Sequence, residues 1–371
     1  MKTVLYLHSK LHNSGGAIDK LRRFFPTVNI VPIYFPENVQ VDEKQISGSE
    51  YVVTHSKVKE FVKNFDFSSV VAIHAGFMTG DKVTFIKSAP QSIKVIWAIP
   101  GGDLYNRYLR YMGYPLVYNE KKSFLKFFGG ILRGFTRRQE FYYLMKRCSA
   151  IICAHCDYKL IQKYNRSGYT TPEHIYSTAY SMEKVMGPLY GLPFEKHEGN
   201  SLIVGNSASF TNNHLYVLEQ LSKTDLADCK VSVIMSYGHS SPAYRKAVQE
   251  KYAAKFRGNL NMISDYLPLE KYNELLMSAT HFIYGNWRQE AVGNILTALY
   301  LGGKVFLSEK NPLLEAFLGQ GLKIFCLEKI GDDFLSPLSD EDKQKNRERV
   351  STLYNDSRGQ LLLKGLSPYY S

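Results

Sequence analysis

No run of this sequence approaches the ~20 apolar residues that a membrane-crossing helix needs, so no spanning helix is expected. Met1 to His8 form a short strand pattern, without the apolar core and small-residue cleavage site of a leader, so a cytoplasmic protein is expected. Cysteine is scarce, five residues in 371, which is too few and too scattered for a disulfide framework. Cys153-Ala-His-Cys156 has C-x-x-C spacing. No second Cys or His pair stands at zinc-site distance, and residues 150–154 read as a buried strand. The fingerprint G-x-G-x-x-G is missing, which argues against a nicotinamide enzyme. No repeat occurs at a solenoid period. No D-x-D stands in a loop suited to a divalent cation, so metal independence is expected and no cofactor is implied.

What is present is length and positive charge. The 371 residues leave room for two domains, and an apolar fraction of 44% supplies cores for both. A formal net charge of +12 favours anionic partners: nucleotides, nucleic acid or an anionic membrane face. The basic residues concentrate in one segment and no nucleic-acid motif accompanies them, so nucleic acid is not an expected partner.

The first half reads as a Rossmann-like α/β domain, 1–185. A buried strand at 3–7 ends at His8, and Asn13-Ser-Gly-Gly16 turns into a helix from Ala17 to Phe25. Further strands are predicted at 29–34, 69–74 and 94–99, with residues 51–64 helical between them. In open parallel sheets, ligands sit at the carboxyl ends of strands. His8, His74 and Asp103 fall there, an acceptor-side constellation; the alternative for each His is a hydrogen-bonded structural residue.

Residues 105–147 interleave aromatic and basic side chains with few acids. Lys121, Lys122, Phe124, Lys126, Phe127, Phe128, Arg133, Arg137 and Arg138 are the expected membrane-facing set. Such composition suits an anionic lipid surface, where each basic residue contributes ~1 kcal/mol. It would also suit stacking on single-stranded nucleic acid, or a packed helix with a solvated basic face.

After a loop-rich linker near 183–200, α/β patterning restarts as a domain over 200–345, followed by a helix and tail, 346–371. Strands are predicted at 201–204, 230–235, 260–263, 281–284, 304–307 and 323–327. The segment 284–307 runs strand, polar loop, helix, Gly302-Gly303 stop, strand. A strand opening through a loop onto a helix N-terminus directs unpaired N–H groups and the helix dipole at an anion. Arg288 stands just before that helix with a fork suited to phosphate. An ordinary strand–loop–helix unit is the alternative. The last residues, Ser367 to Ser371, are expected to be disordered. Two Rossmann-like halves in succession describe the GT-B glycosyltransferase architecture, by analogy of fold.

Three motifs resemble one family. They are Ile99-Pro-Gly-Gly-Asp103-Leu-Tyr105; Ile203-Val-Gly205-Asn206-Ser207 with Asn212 and His214; and Arg288-Gln289 followed by Gly293, Gly302 and Asn311-Pro312. Together, across roughly residues 70–315, they are similar to the bacterial 4-acetamido-4,6-dideoxygalactosyl (N-acetylfucosaminyl) transferases of enterobacterial common antigen synthesis, which are group-56-like GT-B enzymes. The resemblance implies a peripheral enzyme at the cytoplasmic face of the inner membrane. It would move a sugar from a nucleotide-diphosphate donor, dTDP- or UDP-linked, to a polyprenyl-diphosphate-linked glycan. It also implies that Gly205, Asn206 and Ser207 offer backbone N–H groups to phosphate or sugar. Arg288 and Gln289 would meet the diphosphate or hydroxyls, and Gly293 would let the helix approach. Tyr237, Glu290 and Asn294 complete the expected donor set. Lys304, Trp287 and Glu290 depart from the family pattern near the expected sugar pocket. Glu290 has Ala298 eight residues on, so the E-x7-E of retaining enzymes is broken. An inverting displacement is therefore expected, with Asp103 as first candidate base and His74 as second. The competing reading is a non-catalytic GT-B-fold scaffold or glycan-binding protein at the membrane.

Overall fold

The computed structural model describes residues 1–9, 15–36, 50–119, 124–177, 181–195, 200–226, 228–238, 240–256 and 258–371. Lys121 and Lys122 lie outside the described residues, as do Asn13 and Ser14 of the first glycine turn. The chain forms two compact units. One comprises Met1–Tyr114, Ser123–Thr178 and Ser357–Ser371; the other comprises Pro115–Lys122 and Ala179–Asp356.

The first unit is built on seven parallel strands: β1 (Lys2–His8), β2 (Val28–Tyr34), β3 (Tyr51–Val52), β4 (Val70–Gly76), β5 (Lys94–Ala98), β6 (Ala150–Cys153) and β7 (Glu173–Tyr176). Their order is β3-β2-β1-β4-β5-β6-β7. Parallel strands covered on both faces must be apolar throughout, which is why Val4, Leu5 and Leu7 are all fully buried in succession along β1. Leu5 lies opposite Val31 on one side and Ile73 on the other. The order reverses between β1 and β4, and a reversal of this kind opens a crevice at the carboxyl ends of those two strands.

Two expectations are corrected in this unit. Tyr51 does not begin a helix. Tyr51–Val52 is an edge strand, and the helix proper is Val58–Asn64, with the Tyr51 ring 5.3 Å from Phe61 and 5.6 Å from Phe65. The C-terminus is ordered as well. A helix, Asp356–Tyr370, runs through the expected disordered tail and sets Leu363, Leu366, Tyr369 and Tyr370 into the core with Val4, Ile18, Phe25 and Ala72. The apolar spacing Leu362-Leu363-Leu366-Tyr369-Tyr370 keeps one face on the sheet. At Gly365 a Cβ would come 2.8 Å from Ile175 Cγ2, so only glycine permits this approach. Tyr370 is fully buried, with its Oη 2.6 Å from His74 Nδ1. Tyr370→Ala is expected to cost about 3–5 kcal/mol, the range for emptying a large aromatic site, read as a shift in urea midpoint at constant slope.

The second unit carries six parallel strands: β8 (Ser201–Val204), β9 (Lys230–Ile234), β10 (Leu260–Ile263), β11 (His281–Tyr284), β12 (Lys304–Leu307) and β13 (Phe325–Cys326). The order β10-β9-β8-β11-β12-β13 reverses between β8 and β11. Val217, Leu221, Val231, Val233, Ile283 and Tyr252 form its core on one face. Gly303 closes the helix-to-strand turn, because a Cβ there would lie 2.3 Å from the Phe282 ring.

Candidate functional site

The loops that leave β8 and β11 meet at the reversal point of the second sheet. The β8 loop turns on Gly205 (φ +71°), where a Cβ would sit 2.8 Å from His214 Nε2 and 2.9 Å from Asn212 Oδ1. Both φ and space therefore require glycine. Asn212, fully buried, braces the loop. Its Oδ1 accepts the Asn206 N–H at 2.8 Å and its Nδ2 donates to Ser207 Oγ at 2.9 Å. Asn206 Nδ2 donates to Tyr237 Oη at 2.9 Å, which ties the loop to the exit of β9.

This bracing corrects one implied role. The Gly205 N–H bonds Ile283 O at 2.9 Å and the Asn206 N–H bonds Asn212. Neither is available to a phosphate, so of the three expected N–H groups only that of Ser207 is left to the loop, beside the Asn206 amide and the Ser207 hydroxyl. His214 is likewise a support. It is fully buried with Nδ1 3.1 Å from Tyr244 Oη, and burial pushes its pKa down to about 4, so the ring stays neutral beneath Gly205.

Across the reversal, the loop after β11 holds Arg288 and Glu290. Arg288 Nε donates to Glu290 Oε2 and Nη2 to Oε1, both at 2.9 Å. Glu290 Oε2 also accepts from Thr211 Oγ1 at 2.7 Å and Asn286 Nδ2 at 2.8 Å. Burial alone would raise the Glu290 pKa, but Arg288, Thr211 and Asn286 outweigh it and hold the carboxylate below its ordinary range. One edge of the guanidinium is thus fixed by Glu290, and a five-donor fork keeps its remaining N–H groups for another acceptor. Just beyond, the helix Val292–Tyr300 begins at Ala291, a left-handed residue (φ +61°), with no side-chain cap. Gly293 and Asn294 lie in its first turn and are half-buried, as is Gln289. An uncapped N-terminus leaves N–H groups and the positive end of the helix dipole for an anion.

Sequence reading missed Thr211, Asn213 and Asn286. Asn213 (φ +50°) donates through Nδ2 to Gly285 O at 2.9 Å and accepts the Tyr118 N–H at 2.8 Å. The paired Asn212-Asn213 was the available signal, since Asn tolerates the left-handed turn that starts a helix. Trp287 is buried, with Tyr216 edge-on at 5.3 Å and Lys310 Nζ 3.8 Å above its ring. Lys304 is not near this pocket. It opens β12, at the amino edge of the sheet, and its Nζ donates to Asp333 O, Phe334 O and Ser336 O at 2.6–3.2 Å. Its departure from the family pattern therefore supports the 333–336 turn.

In the first unit, His74 sits inside β4, between Tyr6 (ring centroids 4.9 Å apart) and Tyr370. It is buried and its pKa falls to about 4 for that reason. This is packing under the C-terminal helix, with Nδ1 of the ring taken up by Tyr370. Asp103 is buried as deeply, at 2% exposed, and differs in its partners. Its Oδ2 accepts the Met78 N–H at 2.8 Å and Trp97 Nε1–H at 3.0 Å, while Oδ1 is buried without a partner among the described residues. Burial raises its pKa against those hydrogen bonds. Cys153 and Cys156 are buried, and burial pushes both thiols well up, the opposite of a metal-ligand or redox pair.

The helix Phe124–Arg147 carries the basic segment, with Phe124, Lys126, Phe127 and Phe128 in its first turns. Arg137 pairs with Glu140 at 2.8 Å and Arg138 Nε bonds Tyr111 O at 2.9 Å, so these two serve the fold. Arg133 is exposed, beside Leu132 (75% exposed) and Phe135 (65%). Among the described residues, no helix is long and apolar enough to cross a membrane.

The whole chain is similar in structure to sugar-transferring enzymes. It matches sucrose-phosphate synthase of Thermosynechococcus elongatus with a TM-score of 0.60 at 11% identity, covering 100% of this chain and 98% of that one. HepE of Anabaena, solved with UDP and glucose, gives 0.61 at 10% identity, covering 99% and 100%. An α,α-trehalose-phosphate synthase (UDP-forming) of Burkholderia xenovorans gives 0.62 at 8% identity, covering 100% of both. At such identities the likeness establishes the fold, which is GT-B. Residues 49–348 match the family described as 4-alpha-L-fucosyltransferase, glycosyl transferase group 56. With well over half of its length matched, the chain belongs to glycosyltransferase group 56 and is a glycosyltransferase.

Proposed function

We propose that this enzyme transfers a deoxy- or acetamido-sugar from a nucleoside-diphosphate donor, dTDP- or UDP-linked, to a polyprenyl-diphosphate-linked glycan in bacterial surface polysaccharide synthesis. The observation that carries the donor half is the Arg288–Glu290 pair beside the uncapped N-terminus of Val292–Tyr300, at the reversal point of the second sheet. The diphosphate would lie against the open edge of Arg288 and the helix N–H groups, with Asn206 and Ser207 reaching its oxygens or the sugar. In the displacement, Asp103 removes the proton from the acceptor hydroxyl. That oxygen attacks the anomeric carbon, the C–O bond to phosphate breaks, and the nucleoside diphosphate leaves with its charge held by Arg288 and the helix dipole. This arrangement supplies cationic stabilisation from the protein, which supports metal-independent transfer. HepE, a structural relative, was solved with UDP-glucose, in keeping with a nucleotide-sugar donor. The test is transfer from dTDP- and UDP-linked 4-acetamido-4,6-dideoxygalactose to a lipid extract of bacterial inner membrane, in EDTA. Release of nucleoside diphosphate with a lipid-linked product is the expected result, and release with neither donor would sink the proposal.

For location, the reading is a peripheral enzyme on the cytoplasmic face of the inner membrane. It is supported by Leu132, Arg133 and Phe135 standing together in solvent on one helix. Leu132→Ser with Phe135→Ser is expected to weaken binding to vesicles containing anionic lipid by at least about tenfold, because fully burying each side chain is worth roughly 1.5–3 kcal/mol. Arg133→Gln alone should cost about fivefold, from ~1 kcal/mol per basic residue. Sedimentation with vesicles reads both, and unchanged binding in both would remove the membrane from this proposal.

A further inference from the structure

Phe77 has a left-handed backbone (φ +47°) and a half-exposed ring, 47% accessible. For a bulky side chain this conformation is strained, and it persists only where surrounding groups impose it. Here two buried charged residues do so. Lys82, fully buried, donates from Nζ to the carbonyl oxygens of Gly76 and Phe77. Asp103 accepts the N–H of Met78, itself buried. The backbone on both sides of Phe77 is therefore clamped from beneath while its ring stands in solvent. Burying a lysine is costly, and a lysine spent on two backbone carbonyls argues that the turn matters.

Its position supplies the second argument. Phe77 follows directly on Gly76, the last residue of β4, and β4 neighbours β1 where the strand order of the first sheet reverses. In the second sheet the corresponding reversal, between β8 and β11, carries the Asn206 and Arg288 loops. A reversal of strand order is a place where a parallel sheet of this kind opens a crevice. The second reversal carries the Arg288 guanidinium and an uncapped helix N-terminus, and the first presents an aromatic face.

We propose that Phe77 is the platform on which a sugar ring of the acceptor glycan stacks. The C–H-rich face of a pyranose is apolar and faintly electropositive, and it matches the negative face of an aromatic ring. Asp103, which clamps the turn, lies at the exit of the adjacent β5, so the platform and the proposed base share one edge of the sheet. The inference rests on the transferase reading above, in which the first unit takes the acceptor.

The test separates the two. Saturation-transfer NMR would be run on wild type and Phe77→Ala with UDP or dTDP, and with a panel of methyl glycosides of hexoses, N-acetylhexosamines and hexuronic acids. At least one glycoside class should give signal with wild type and lose it in Phe77→Ala, while the nucleotide signal stays the same in both. Phe77→Trp adds an exposed indole to a protein whose two tryptophans, Trp97 and Trp287, are buried. Its emission should shift to the blue, saturably, with the same glycoside. Phe77→Gly removes the strain and should raise Tm by about 2–4 °C while abolishing the glycoside signal. Glycoside signal retained in Phe77→Ala, or absent from wild type, would overturn the platform. A fall in Tm for Phe77→Gly would do the same, because it would mean that the ring serves packing. Absence of nucleotide signal from wild type would strike the donor reading instead.

Discussion

Arg288→Ala is expected to weaken nucleoside-diphosphate binding by roughly 10²-fold, the cost of losing a charge-assisted bidentate contact with phosphate. The same substitution has a second effect that must be kept apart from the first. Arg288 neutralises Glu290, whose side chain is only 15% exposed. Removing the arginine strands that carboxylate with Thr211 and Asn286 as its remaining donors. Breaking a fully buried pair costs about 3–5 kcal/mol, and this partly exposed one should cost about 2–3 kcal/mol. The double variant Arg288→Ala, Glu290→Gln removes both charges and should recover most of that stability. It should not recover affinity. Glu290→Gln alone should leave Arg288 in place but less fixed, with a smaller loss of binding. A double variant that folds like wild type and binds like wild type would show that Arg288 is a structural partner of Glu290 and nothing more.

Asp103→Asn is the second large effect expected, a fall in kcat of about 10²–10⁴ with nucleotide affinity unchanged. The amide keeps the shape of the side chain and its Oδ atom can still accept from Met78 and Trp97, so the Phe77 turn survives. What it loses is the ability to take a proton. The pH dependence has a definite sign. Burial raises the Asp103 pKa above the ordinary carboxylate value, and a base works only when deprotonated. Activity of wild type should therefore fall as pH drops through that raised pKa, and Asp103→Asn should lack this limb. His74→Asn, by contrast, should lower stability without removing the acid limb, since His74 is already neutral, with a pKa of about 4, and bound to Tyr370.

The two sheets were readable because parallel strands buried on both faces leave continuous apolar runs, as in Val4-Leu5-Tyr6-Leu7 and His281-Phe-Ile-Tyr284. The strand, polar loop and helix around Arg288 were readable for a related reason, their distinct chemical signatures; that Glu290 takes one edge of the guanidinium was not. What escaped was set by three-dimensional accounting. A motif such as Gly205-Asn206-Ser207 does not reveal that two of its N–H groups are consumed by Ile283 and Asn212. Lys304 reads as a pocket residue until the direction of β12 places it at the opposite edge of the sheet. His74 carries the same letter whether it faces a substrate or Tyr370. The tail Ser367-Pro-Tyr-Tyr-Ser371 has a loop composition, yet its tyrosines bury against the first sheet. Phe77 was invisible because the sign of φ at one residue leaves no trace in composition or periodicity.

The measurement that bears most directly on the central claim is calorimetric titration of dTDP, UDP, GDP and CDP into the wild-type protein and into the Arg288→Ala, Glu290→Gln variant, in EDTA. Binding of dTDP or UDP by wild type, weakened about 10²-fold in a variant of normal stability, is the predicted result. No binding of any of the four at millimolar concentration, or equal binding by both proteins, would contradict the assignment of the donor site to the Arg288 loop.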